Sequence, residues 1–190
     1  LLNSGAWWNG TSGTYDNFFV GKHYPGMINV NFTNYKLSDK AKSNIDISRY
    51  YLGGYNGDTP KTNEMYGYER GTLRYDENRS LYWDGMVGLM YPSDYGYAAG
   101  NVCATGTELF NYIGECSNKD WLYNTGVSQW LMSPDSGSSY GVLTVYTLGP
   151  VDYGINYSYA ALAVSPVFYL TPSASITSGT GTLTDPYLLG

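Results

Sequence analysis

Charge is scarce in this chain. Only 14% of its residues are Asp, Glu, Lys or Arg, against about a quarter in ordinary globular domains. Lys and Arg number 10, are scattered, and leave a net charge of −6. Binding phosphates takes a basic patch, so nucleic acid is not an expected partner. Apolar runs are short too: none approaches the roughly 20 residues of a membrane-spanning helix, and no signal peptide is recognisable. Direct membrane insertion by this stretch is therefore not expected. Leu1-Leu2-Asn3 does not read as a natural start. A mature fragment or ectodomain is expected, with any anchor outside the given residues.

Histidine is nearly missing. His23, in "VGKHYPGM", is the only one, and a Ser/His/Asp or Cys/His site requires a histidine base. A lone histidine beside Pro and Gly reads as a surface residue. Asp135 and Asp152 share a region but have no glycosidase context around them. Two cysteines and one histidine do not make a zinc site. Calcium takes six or more hard oxygen ligands, and "SPD" (133–135) and "YWD" (82–84) are faint echoes of such loops. No catalysis, metal or obligatory cofactor is expected.

The two cysteines, Cys103 and Cys116, flank "ATGTELFNYIGE". An even count in an exported-looking composition suggests a disulfide, which would contribute about 3 kcal/mol by loop-closure entropy. Two buried thiols are the alternative, suited to a cytosolic protein.

Tyrosine and glycine are plentiful, at 22 and 24 residues, and aromatics reach 17%. Tyr is stiff and amphipathic, so it serves both as half-buried packing and as contact surface. With abundant Ser, Thr and Asn, this composition describes an extracellular, β-rich surface protein. The length fits one domain with a real core.

Along the chain, "LSDKAKSNIDIS" predicts a helix with Ser38 as N-cap, Asp39 in its first turn, and Leu37, Ala41 and Ile45 on one face. "GTELFNYIGE" predicts a second, with Thr107 as N-cap, Leu109, Phe110 and Ile113 inward, and Gly114 as the stop. "TNEMYGYER" is a weaker helical stretch, broken by Gly67. Strands are expected at 49–54, 71–75, 85–92, 120–124 and 129–134. A hairpin is expected around Gly149-Pro150. The last apolar run, Val164 to Leu170, alternates as a strand covered on both faces does, and a closing hairpin through "PYLL" follows it. Trp7 and Trp8 read as a plug of the core, and Trp83, Trp121 and Trp130 as core. The fold class is α+β: a small twisted antiparallel sheet, two short helices and extensive ordered loops.

"YLGGYNGDT…EMYGYERGT", "GLMYPSDYGYAAG", "CATGTELFNYIGEC", "QWLMSP" and "VSPVFYL…ITSGTGTLTDPYLL" together resemble a C-type-lectin-like domain. Such domains occur on surface, phage-related and pilin-like proteins of Gram-positive gut bacteria. The group is related in fold to formylglycine-generating enzymes and to the variable proteins of diversity-generating retroelements. The resemblance runs from about Ser38 to the C-terminus. It implies a C-type-lectin-like ligand-binding domain over 38–190, with 1–37 as an extension or as the start of the domain. The family's closing pattern carries Arg before Pro-Val; here the position is Ser165, which removes an ion pair the resemblance would imply. The reactive cysteines of formylglycine-type oxidation have no counterpart after Cys116. The resemblance also implies a last strand lying centrally, with the C-terminus pairing back against it.

Residues 135–160, "DSGSSYGVLTVYTLGPVDYGINYSYA", carry the composition of a paratope. The candidate ligand-binding residues are Asp135, Ser138, Ser139, Tyr140, Tyr146, Asp152, Tyr153, Asn156, Tyr157 and Tyr159. In retroelement-diversified relatives the variable positions fall in this stretch. Tyr50, Tyr51, Tyr66, Tyr68, Tyr95 and Tyr97 lie elsewhere and read as structural. The expected function is adhesion or receptor recognition at a cell surface or on a phage particle, with a protein or glycan on another surface as partner. The rival is a structural subunit or minor pilin-like component of a surface fibre, which would self-assemble.

Overall fold

The computed structural model describes residues 38–138, 141–152, 162–163, 165–182 and 184–190, and the backbone of 14–15 and 22–23. Leu37, Trp7, Trp8 and Val164 therefore lie outside the described residues. Strands β1 (Thr14–Tyr15) and β2 (Lys22–His23) pair antiparallel, Thr14 opposite His23.

Helix α1 (Asp39–Ser43) starts as the sequence suggests, the Ser38 hydroxyl accepting the Ala41 N–H at 3.1 Å. It is a single short helix with no buried residue, and Ile45 beyond it enters the core. Strand β3 (Ser48–Tyr51) follows, then α2 (Thr62–Glu69). Gly67 does not break α2: a side chain there would meet nothing within 4 Å, so the glycine sits on an open face and costs propensity alone. Strand β4 (Tyr82–Gly85) pairs with β3, and β5 (Gly88–Leu89) comes next.

The expected strand at 85–92 ends early. Pro92 instead opens α3 (Pro92–Ala98), its missing N–H costing nothing in the first turn. The Asp94 carboxylate accepts the Tyr91 N–H at 3.0 Å and closes that end. Gly96 lets α3 approach α2, because a Cβ there would overlap the Thr62 hydroxyl.

The helix expected over 106–115 is three pieces instead. Helix α4 (Asn101–Gly106) ends at Thr107, a 3₁₀ turn spans Leu109–Asn111, and α5 (Glu115–Lys119) begins after Gly114 at φ +67°. Leu109 and Tyr112 are buried, whereas Ile113 is exposed. A disulfide joins the buried Cys103 and Cys116 and so staples α4 to α5.

Strand β6 (Gln129–Pro134) is buried along its whole length and pairs with β7 (Val142–Val145), which pairs with β8 (Val151–Asp152). The turn between β7 and β8 holds Gly149 at φ +106°, where any side chain would be strained. Side chains of β6 alternate between two cores. Leu131 packs with Met65, Met90, Tyr95 and Leu143, while Trp130 and Met132 pack with Tyr50, Leu52, Val87 and Leu89. The other edge of β6 is covered as well, with Trp130 N–H donating to Ala163 and Met132 N–H to Met90, both at 2.9 Å.

The described residues of the apolar run at 163–170 do not form one long strand, and none of them is fully buried. Ala163 bridges Gln129, β9 (Pro166–Val167) pairs with β5, and Leu170 bridges Ile45. Pairing moves to a new partner every few residues, so the run is not covered on both faces, and Phe168, Tyr169 and Leu170 are exposed. The closing hairpin forms between β10 (Ile176–Ser178) and β11 (Leu188–Leu189). The C-terminus pairs with β10 rather than with β9. The strands expected at 71–75 and 120–124 are turns and irregular backbone. Among the described residues the architecture is α+β, with small antiparallel sheets and short helices.

Candidate ligand-binding cleft

Buried tyrosines solve one problem before any site is considered, namely where their hydroxyls go. Tyr50 donates to Val167 O at 3.1 Å, Tyr91 to Tyr51 O at 3.0 Å, Tyr95 to Gly149 O at 2.7 Å and Tyr112 to Gly96 O at 3.1 Å. Each phenol spans the core and ends on a backbone carbonyl, as buried polar tips require. Burial pushes the Tyr50 hydroxyl up to about 12. Of the tyrosines read as structural, only Tyr50 and Tyr95 fit that role; Tyr51, Tyr66, Tyr68 and Tyr97 are exposed. Trp121, expected in the core, is 77% exposed.

Some of these exposed rings converge. A cleft of about 510 Å³ is lined by Met90, Asp94, Tyr97, Ala98, Trp121, Leu122, Ser165, Pro166, Val167 and Tyr169. One wall is α3, which presents Asp94, Tyr97 and Ala98 at i, i+3 and i+4, a single helix face. The turn after α5 supplies Trp121 and Leu122, Met90 comes from the link between β5 and α3, and the segment around β9 supplies Ser165, Pro166, Val167 and Tyr169.

The walls are tied together from behind. The Asp120 carboxylate accepts the Leu122 N–H at 2.8 Å and shapes the turn that carries Trp121. Buried Gln129 donates to Leu122 O at 3.4 Å and accepts the Ser165 hydroxyl at 2.5 Å, so one amide bridges two walls. The α3 wall is anchored by Glu69 on α2, which accepts the Ser93 N–H at 2.8 Å and pairs with Arg70 at 3.0 Å. Burial pushes Glu69 up to about 7 although these donors pull the other way. Asp120 is likewise raised to about 7 by burial, and its Oδ2 is buried without a hydrogen-bond partner. The Tyr169 hydroxyl is raised by partial burial.

The residues proposed from the 135–160 tract divide. Ser139, Tyr140, Tyr153, Asn156, Tyr157 and Tyr159 lie outside the described residues. Asp135 and Ser138 come together on the loop after β6, where buried Arg79 donates to both carbonyls at 3.0 Å. Asp135 is 6% exposed, and burial raises its carboxyl above the usual range. Tyr146 sits at the far end of β7, in the turn towards β8, and Asp152 lies opposite Thr144. These four residues are therefore spread along the β6–β7–β8 sheet and its turns rather than gathered at one place. The cleft residues were missed because they come from three distant segments. The one local signal was Asp94 and Tyr97 three apart behind a helix-opening proline.

A second hollow of about 630 Å³ lies along residues 67–77, with Tyr68, Arg74, Tyr75, Asp76 and Glu77 among its lining. Among the described residues, no group of three or more His, Cys, Asp and Glu is placed to hold a metal ion, and no helix is long and apolar enough to cross a membrane. No family model matches this chain, and neither a curated protein nor a solved structure gives a significant match.

Proposed function

We propose that this chain is an extracellular recognition domain of the C-type-lectin-like kind, which binds a ligand carried on another surface and catalyses nothing. The observation that carries the reading is the exposed Trp121 in one concave cleft with Tyr97 and Tyr169. Exposed apolar surface gathered into one place marks an interaction site, and apolar concavities with a few polar groups are where ligands bind. The disulfide between Cys103 and Cys116 agrees with an oxidising compartment. The 135–160 tract remains a second contact region in this proposal, its sequence free to vary around the rigid strands β6 to β8.

The test is a glycan and bacterial-surface-protein array. It compares the unaltered chain with Trp121→Ala/Tyr169→Ala, and with Tyr140→Ala/Tyr146→Ala/Tyr153→Ala/Tyr157→Ala, after circular dichroism confirms folding. Hits lost in the first variant support the cleft, and hits lost only in the second support the tract. Hits that survive both variants, or none at all, overturn the reading.

A structural subunit of a surface fibre is the second reading. The hairpin β10–β11 favours it, since Ile176, Tyr187 and Leu188 are all exposed on a two-stranded ribbon with open edges. Concentration-dependent assembly abolished by Ile176→Lys would establish it.

A further inference from the structure

Resting on the recognition reading, we infer that the cleft takes an organic cation of the tetraalkylammonium kind. Among the described residues of the lining, Asp94 is the only charged one, and it is acidic; none of them is Lys, Arg or His. Asp94 Oδ2 accepts the Tyr91 N–H at 3.0 Å, which fixes the carboxylate, and the side chain is exposed to the cleft. Tyr97, Trp121 and Tyr169 bring three aromatic rings to the lining, and ring quadrupoles attract a cation. The Arg70 guanidinium, whose charge acts on Tyr169, is outside the lining and occupied, 3.0 Å from Glu69 and stacked 3.6 Å over Tyr66.

The kind of cation follows from hydration. A lysine ammonium is strongly hydrated and would give up water for a lining with little to replace it. An alkylated ammonium has little hydration to lose, suits aromatic faces, and needs one carboxylate for its charge. A neutral sugar fits less well. Its hydroxyls need several side-chain partners, and apart from Asp94 the described residues of the lining offer the Tyr and Trp tips and Ser165, whose hydroxyl is committed to Gln129. The volume, about 510 Å³, is that of a small-molecule site.

Calorimetric titration of the full chain with choline chloride and tetramethylammonium chloride tests this, with 3,3-dimethylbutan-1-ol as the uncharged isostere of choline and cellotriose as the neutral sugar. Asp94→Asn keeps an acceptor for the Tyr91 N–H and removes the charge; Trp121→Ala removes a ring that is 77% exposed. The expected result is millimolar or tighter binding of both cations, with the isostere, Asp94→Asn and Trp121→Ala each weaker by about tenfold. Equal binding of choline and its isostere overturns the inference, as does cation binding that neither substitution changes. Cellotriose binding without cation binding overturns it but leaves the recognition reading in place. Silence of every probe overturns it, and only a silent array as well removes the recognition reading.

Discussion

The Glu69 carboxylate, with no solvent exposure, accepts both the backbone N–H and the hydroxyl of Ser93, joining α2 to the start of α3. That contact sets the angle at which Asp94 and Tyr97 face the cleft.

It also makes stability depend on pH. Glu69 is raised to about 7 in the folded chain, above the unfolded value of 4.5. The native state therefore holds the proton more tightly, and the stabilisation is full below the unfolded value and fades as pH rises through about 7. Asp120 acts in the same direction over a similar window. Denaturant unfolding should give a higher stability at pH 5 than at pH 8, by roughly 2 kcal/mol from Glu69 alone. Glu69→Gln should flatten that dependence, and Asp120→Asn should flatten it further. A stability that climbs from pH 5 to pH 8 would contradict the assignment.

The disulfide should matter for stability and not for the cleft. Cys103 and Cys116 are 13 residues apart, so Cys103→Ala/Cys116→Ala should lower unfolding free energy by about 3 kcal/mol. Thermal unfolding with and without reductant measures the same difference in the unaltered chain.

Arg79 should hold the loop after β6. Its fork donates to Asp135 O and Ser138 O at 3.0 Å each. Arg79→Ala strands buried carbonyls and should cost about 2–3 kcal/mol. Arg79→Lys should recover less than half, because a point charge cannot replace a two-pronged donor. Faster amide exchange at Gly137 and Gly141, measured by NMR, would locate the loosening.

Two tryptophans should behave oppositely. Trp130 is 1% exposed, and Trp130→Ala should cost about 3–5 kcal/mol. Trp121→Ala should change stability by less than about 0.5 kcal/mol. Denaturation of the two single variants decides it, and a large cost at Trp121 would make that ring structural.

Much of the frame was legible where chemistry is local. Ser38 capped its helix, "QWLMSP" formed its strand, and the turn at Gly149 and the closing hairpin fell where Gly, Pro and alternation pointed. The misreadings share a cause, which is that tertiary context reassigned a local signal. Gly67 faces open space and so did not interrupt α2, and Pro92, read as the end of a strand, became the first residue of a helix. The 103–116 segment bends into three pieces around a disulfide. Trp121 beside Leu122 looked like a core strand, but Asp120 folds that stretch into a turn that points the indole outward. Beyond Asp94 and Tyr97 three apart behind Pro92, the cleft had no sequence signature, because α3, the 121–122 turn and β9 meet only in three dimensions.

Chemical-shift mapping on the isotopically labelled chain, titrated with the strongest ligand from the array, is the most direct measurement. The expected result is that the Trp121 indole N–H and the amides of Tyr97, Leu122 and Tyr169 shift together and saturate with one affinity. Shifts confined to the β10–β11 hairpin or to the 67–77 hollow, with Trp121 unmoved, would contradict the cleft as the recognition site.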